Sequence, residues 1–351
     1  MSPRTKDHAA VTLATVAEAV GVSRMTVSNA YNRPDQLSPE LRDRVLAAAQ
    51  RLGYSGPDPV ARTLSRGKTG SVGLLIDYPL TIAFTDPGTV QFLHGVAAGC
   101  EEQALGLTLV PRIEGGGAAL VQDALVDGFV IYCVQPGDPR MDAVLARKLP
   151  FVRVDFDPEP GMVDVNIDDE AGARAVAEHL TALGHRRIGI VLPHDHRGGT
   201  GSEARDTATH HVTTSRLDGW RAGLEAAGID WSTVPVATGP DKLREAGRVA
   251  GARLLDRADR PTAILALSDV LALGVLEAAA ERGISVPGEL SVAGFDDVPE
   301  AATATPPLTT IRQPHQRKGS EAVRLLLEGP EAQSVLLPIE IVVRASTAPA
   351  P

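Results

Sequence analysis

Between Val11 and Tyr54 apolar residues recur at helical spacing in three short runs divided by turn-forming residues. Leu13, Val16, Ala17 and Val20 share one helical face, with Thr12 as N-cap and Gly21 as the stop. Val22 fills the corner. Ser23 then caps a second helix over 24–31, with Val27 and Tyr31 facing inward. After a loop over 32–38, Ser38 as cap, Pro39 in the first helical position and Glu40 in the first turn start a third helix that runs to Leu52-Gly53-Tyr54. Its apolar positions Leu41, Val45, Leu46, Ala49 and Leu52 close a core too small for an independent enzyme. Asp58 as cap and Pro59 as first residue then open a helix of about two turns over 60–67, which is marginal alone in water and should form only when packed or bound.

From Ser71 onward the period changes. Apolar runs of strand length at 71–77, 107–111, 128–134 and 151–155 alternate with amphipathic helical stretches near 89–103, 118–125 and 141–147. A second set follows, with strands at 187–192, 232–237, 262–267 and 290–293 and helices near 170–183, 216–227, 243–258 and 270–282. Alternation of this kind predicts an α/β body of two lobes with parallel sheets. Residues 335–343 read as a last strand and 344–351 as a tail.

Composition and charge add four constraints. No run of about 18 apolar residues occurs, so no membrane span is expected. The polar first ten residues lack the apolar segment of a signal peptide, which points to the cytoplasm. Cys100 and Cys133 are the two cysteines and are expected as buried thiols, without a disulfide framework or metal cluster. The net charge of −10 is unevenly spread: residues 1–66 carry +3 and the remainder −13. The basic part is the small helical one, which suits a polyanion and predicts binding that weakens with salt.

A second helix held by a tight turn, with an exposed N-terminal end, fits the DNA major groove. Arg24, Met25, Ser28 and Asn29 would read bases, while Ser23 and Thr12 would bind phosphate. The alternative is a small three-helix bundle whose polar residues merely face water. In the body, ligands bind beyond the carboxyl ends of strands, where Asp155, Asp269 and Asp296 stand, with Arg216 on a helix. Converging carboxylates and a guanidinium suit a polyhydroxylated neutral ligand, unless each acid only caps the helix that follows it. Phe84 either stacks on a sugar face or packs into the core. Gly199-Thr200-Gly201-Ser202-Glu203-Ala204 fits a dinucleotide fingerprint but lies beyond its strand in a polar Gly-rich run, and is expected to be a loop. His194, His196, His210 and His211 flank it without metal-ligand spacing and are expected to face solvent. No catalytic residue, cofactor or metal is expected.

The sequence resembles the lactose-repressor (LacI/GalR) family of bacterial transcription regulators over essentially its whole length. The resemblance is carried by the run from Val11 to Ser23 with Thr26-Val27-Ser28, by Leu52-Gly53-Tyr54 and by Val60-Ala61-Arg62-Thr63-Leu64. It continues in Ile167-Asp168-Asp169-Glu170-Ala171-Gly172, Leu183-Gly184-His185-Arg186-Arg187-Ile188, Val292-Ala293-Gly294-Phe295-Asp296-Asp297 and Pro307-Leu308-Thr309-Thr310-Ile311. It implies a helix-turn-helix headpiece over 1–56, a hinge helix over 57–67 and an effector-binding, dimerising body over 68–351 that looks like a periplasmic sugar-binding protein. Lobe 1 would span about 70–166 and 311–336, lobe 2 about 167–310 and 337–351, with three crossings between them.

The same resemblance adds Asn32, Ala61 and Arg62 to the DNA-binding set and makes Leu64 the wedge that two chains push into the minor groove. Asp155, Arg216 and Asp296 fall where relatives hold their effector, whereas Ser268 stands where many relatives carry Asn before Asp269. The expected protein is a homodimeric regulator of a palindromic DNA operator, most simply a repressor, gated by a small-molecule effector. No leucine heptad follows the body, so the tetramer-forming helix of the lactose repressor is not expected. Leu64→Ala should weaken operator binding about tenfold and remove the bend, read from the mobility of circularly permuted DNA fragments, because the wedge sustains the unstacked base step.

Overall fold

A computed structural model describes residues 11–56, 67–77, 79–113, 116–135, 137–193, 210–239 and 244–351. The expected hinge helix, with Ala61, Arg62 and Leu64, lies outside the described residues, as do Gly199–Ala204 and His194 and His196. The chain divides into two compact units, Met1–Thr69 and Gly70–Pro351.

In the first unit helices α1 (Leu13–Val20), α2 (Arg24–Asn32) and α3 (Pro39–Leu52) follow the sequence punctuation closely. Thr12, Ser23 and Ser38 each accept a backbone N–H of their helix's first turn, and Gly21 and Gly53 end α1 and α3 with φ of 75°. Val16, Ala17, Val27, Ala30, Val45 and Ala49 form the buried core. Leu52, expected in that core, is 37% exposed because it lies at the last position of α3, past the turns that pack on the other helices.

The second unit has two lobes. Lobe 1 is built on a parallel sheet ordered β11-β5-β4-β3-β1-β2, from β1 (Ser71–Ile76), β2 (Gly106–Val110), β3 (Gly128–Tyr132), β4 (Phe151–Val154), β5 (Asp164–Ile167) and β11 (Val335–Leu337). Lobe 2 is built on β7-β6-β8-β9, also parallel, from β6 (Ile188–Leu192), β7 (Val236–Thr238), β8 (Ala263–Ala266) and β9 (Ser291–Ala293). Both faces of each sheet are covered, which is why the strands read as continuous apolar runs. In β3, Phe129 and Ile131 belong to one hydrophobic cluster and Val130 and Tyr132 to the other. The chain crosses between lobes after β5, after β10 (Thr310–Arg312) and between β11 and β12 (Glu340–Val342), with β10 and β12 paired antiparallel.

The helices are α4 (Leu80–Ala83), α5 (Pro87–Glu102), α6 (Gly117–Asp123), α7 (Pro139–Arg147), α8 (Asp169–Ala182), α9 (His211–Ala226), α10 (Arg244–Leu255), α11 (Asp269–Glu281), α12 (Pro299–Thr303) and α13 (His315–Glu328). The pairs α5/α13, α8/α9 and α10/α11 each touch backbone to backbone. A Cβ on Gly95 of α5 would lie 1.8 Å from the Gln316 carbonyl oxygen, and one on Gly219 of α9 would lie 2.2 Å from that of Glu170.

Four expectations change. The run 232–237 is a 3₁₀ turn (Trp231–Thr233) before a strand that begins only at Val236, because Asp230 accepts the Ser232 N–H and hydroxyl and closes a turn there. The run 335–343 is two strands in different sheets, separated at Pro338. The tail is tied into lobe 2: Ser346 Oγ donates to the Val292 carbonyl at 2.6 Å, and His185 bridges Thr262, Ser291 and the Ala348 carbonyl. Helix α13 and strand β5 were not expected at all.

Asp269 is not the cap of α11; Ser268 is, accepting the Leu271 N–H. The fully buried Asp269 carboxylate instead accepts the Val298 N–H at 2.9 Å and the Thr310 hydroxyl at 2.5 Å, pinning β8's end to the loop after β9 and to β10. Burial pushes its pKa up to about 7 against those hydrogen bonds. A carboxyl whose folded pKa lies above its unfolded value near 3.8 favours the folded state at low pH, and that contribution declines as pH rises toward 7. Urea midpoints of wild type should therefore carry a falling component between pH 4.5 and 7.5, at most about 1.4 kcal/mol per pH unit, that Asp269→Asn lacks. Gly95→Ala should destabilise lobe 1 by about 3 kcal/mol in the same assay, since the oxygen it meets is backbone and cannot rotate away.

Candidate functional site

In the headpiece, α2 is presented with its N-terminal end open. Ser23 Oγ accepts the Thr26 N–H at 3.0 Å, which leaves Arg24 and Met25 outside, Met25 being 69% exposed. Asn29 is braced by donating to Gln36 Oε1 at 3.2 Å, and Asn32 donates to Ser28 Oγ at 3.3 Å one turn away. Thr12, at the start of α1, is exposed and locked in a reciprocal cap with Thr15. Tyr31 meets Tyr54 edge-on at 6.0 Å and fixes α2 against the end of α3. One helix face thus carries a cation, a flexible apolar side chain and two oriented amides, a set able to read base edges and contact phosphates.

In the body the strand ends of both lobes meet at the crossing strands. Asp155 follows β4 with φ of 62°, and Asp296 follows β9 with φ of 126°. Both conformations are uncommon for a residue with a side chain, and strain of this kind collects at binding sites. Asp296 accepts the Gln313 amide N–H at 2.5 Å and lies 3.7 Å from Arg216 and 3.8 Å from His315. Arg216, on α9, donates Nε to Asp169 at 2.8 Å and Nη1 to the Leu267 carbonyl at 2.5 Å, and its guanidinium lies 3.6 Å from the Phe295 ring centroid. Burial opposes the Arg216 cation, but Asp169 and Asp296 outweigh it and hold its pKa above the usual value. Burial also pushes the Asp296 carboxyl well up, with Arg216 opposing. Asp155 and Arg216 therefore do not touch; Asp296 and Gln313 stand between them.

Three groups here escape the sequence reading. Gln313 lies on the crossing after β10, and His315 and Lys318 lie on α13. Lys318 Nζ donates to Asp155 Oδ1 at 2.5 Å and to Gln313 Oε1 at 2.7 Å. His315 is buried and, among the described residues, has no hydrogen-bond partner at either ring nitrogen; burial together with the Lys318 and Arg216 charges pushes its pKa well below the usual imidazole range. The signal that could have found them is Pro314 followed by the amphipathic run with Ala322, Val323, Leu325 and Leu326 buried.

His210 and His211, expected to face solvent, are half-buried. His210 Nε2 donates to the Cys133 carbonyl at 2.8 Å and His211 Nδ1 lies 2.7 Å from Asp157 Oδ1, so both join lobe 2 to lobe 1. Cys100 and Cys133 are both buried, as expected of them. Phe84 is 57% exposed, which removes the expectation that it packs into the core. Among the described residues no group of His, Cys, Asp and Glu could hold a metal ion, and no helix is long and apolar enough to cross a membrane.

Comparison with known proteins agrees with both halves of this geometry. Residues 12–56 match the family described as bacterial regulatory proteins, lacI family, and residues 177–347 match the periplasmic binding protein-like domain. The HTH-type transcriptional regulator Rv3575c of Mycobacterium tuberculosis is 43% identical over 341 residues, covering 95% of this chain and 94% of its own. The lac repressor dimer bound to operator and the anti-inducer ONPF superposes with a TM-score of 0.78 at 28% identity, covering 96% of this chain and 99% of that one. A transcriptional regulator CelR–cellobiose complex gives a TM-score of 0.70 at 29% identity, covering 96% and 99%. Helix-turn-helix headpiece, two-lobed periplasmic-binding-protein-like body and end-to-end relatives together establish that this chain belongs to the lacI family of bacterial transcription regulators.

Proposed function

We propose that this regulator binds a palindromic operator as a homodimer in the cytoplasm, acts as a repressor, and is controlled by a small uncharged effector held between the lobes of its body. The observation that carries the effector reading is the pair of strained acids, Asp155 in lobe 1 and Asp296 in lobe 2, with the unpartnered buried imidazole of His315 beside the second. Buried polar groups without partners are expensive, and a ligand that supplies those partners is stabilised in return. Arg216 acts by orienting Asp296, and the exposed Phe84 ring is available to cover an apolar ligand face. Asp269 is assigned a structural role, since both its oxygens already accept hydrogen bonds inside lobe 2.

In the headpiece, Arg24, Met25, Ser28 and Asn29 read the major groove, Thr12, Ser23 and Asn32 position the backbone, and Ala61, Arg62 and Leu64 enter the minor groove. Solved relatives contain operator DNA, ONPF and cellobiose, which supports both halves of the reading. Binding rather than catalysis is the activity, in keeping with relatives that are named regulators. The effector changes operator affinity by a coupling free energy between the two sites.

The test is a thermal-shift screen of the full chain against D-ribose, D-glucose, D-galactose and cellobiose. A ligand at about 100 times its Kd adds roughly 2.7 kcal/mol of stability. A saturable rise in Tm that weakens at least about tenfold in Arg216→Ala, with affinity for an operator selected from random duplexes retained, is the expected result, since the orientation of Asp296 is worth about 1.4 kcal/mol or more. An unaltered response in Arg216→Ala contradicts the assignment.

A further inference from the structure

Lys318 is 1% exposed, yet it projects from the second turn of α13 toward the lobe boundary. A buried ammonium is tolerated only where partners surround it, and this one has two: Asp155 Oδ1 at 2.5 Å and Gln313 Oε1 at 2.7 Å. The Gln313 amide is oriented by that contact, because its carbonyl oxygen accepts from the ammonium and its NH₂ must then face the Asp296 carboxylate, which it reaches at 2.5 Å. Asp155, Lys318, Gln313, Asp296, Arg216 and Asp169 therefore form one continuous polar chain from lobe 1 to lobe 2. Its two cations each already face a carboxylate.

Building on the effector reading above, we propose that Lys318 is the specificity-determining residue of the cleft: by neutralising Asp155 from within lobe 1, it selects an uncharged polyhydroxylated ring over the same ring carrying an amine or a carboxylate. The argument is one of charge and of remaining hydrogen-bond capacity. An ammonium has three N–H donors, and two are used, which leaves one for a ligand oxygen. Among the described residues Asp155 Oδ2 meets only the weak donor Cys133 Sγ at 3.7 Å, and the Asp296 side chain keeps 13% of its surface open. A ligand hydroxyl can accept from Lys318 and donate to a carboxylate at once. A ligand amine would meet two fixed cations, and a ligand acid two carboxylates, in a site screened from water. Without Lys318, Asp155 would be an unpaired buried carboxylate, whose best partner is a cation.

The experiment compares wild type, Lys318→Met and Lys318→Met/Asp155→Asn by thermal shift against matched sets: D-glucose, D-glucosamine and D-glucuronate, and D-galactose, D-galactosamine and D-galacturonate. Wild type should bind a neutral member at least tenfold more tightly than its charged counterparts, and Lys318→Met should reverse the order in favour of the amine. The double variant removes both charges and strands no buried carboxylate; in it the order should return to neutral over amine. If Lys318→Met keeps the wild-type ranking, if the double variant prefers the amine, or if wild type prefers a charged member, the role of Lys318 is overturned. If no sugar stabilises wild type or either variant, the effector reading of the cleft falls, and this inference with it.

Discussion

The hydrogen bond from Gln313 to Asp296 joins the crossing strands to lobe 2, and the charged groups on either side are arranged around it. An amide can face an ammonium and a carboxylate simultaneously in only one orientation, so Lys318 and Asp296 fix Gln313, and Gln313 fixes their separation. Two parallel sheets ending at one boundary must satisfy the polar ends of their strands there, and in a buried setting each satisfied group constrains its neighbours. Asp155 and Asp296 sit in strained backbone because the sheets deliver them to that boundary and the polar chain holds them. His210 and His211 add two further links at the edge of the same boundary.

Legibility from sequence followed the range of the interactions. The headpiece was read almost to the residue, because its caps and stops are local: Thr12, Ser23 and Ser38 act three residues away, and Gly21 and Gly53 act on their own φ. Core strands of both lobes were legible as apolar runs, since sheets covered on both faces leave no alternation to misread. Failures came where a distant partner decides the outcome. The strand β5, with Asp164 and Asn166 among its four residues, owes its place to pairing with β4 on one side and β11 on the other. Helix α13 opens on polar residues that face the boundary or the surface, so its apolar face begins late, and with it His315 and Lys318 were lost.

The acids show the same division. Asp155, Arg216 and Asp296 were singled out because strand-end acids and a nearby guanidinium are visible in one dimension, and the structure brings Arg216 and Asp296 together. That Asp155 is held by a lysine 163 positions later is a matter of tertiary packing, with no short-range trace. Asp269 looked like its neighbours in sequence and differs from them only through Val298 and Thr310, which occupy its oxygens. Adjacent Ser268 performs the capping that was the alternative reading of Asp269, since the first residue of a helix and its cap compete for the same explanation.

The interleaving of the lobes has a consequence for how the protein is made. Lobe 1 lacks α13 and β11 until residues 315–337 exist, and lobe 2 lacks the Ser346 and Ala348 contacts to Val292 and His185 until the chain is within a few residues of position 351. The headpiece needs nothing beyond its own first unit. On the ribosome, then, the DNA-reading part completes itself early while both lobes wait for residues 315–348 to emerge. A nascent or truncated chain carries a finished headpiece on an unfinished body, and the quality-control machinery of the cell has the body, not the headpiece, to recognise as incomplete.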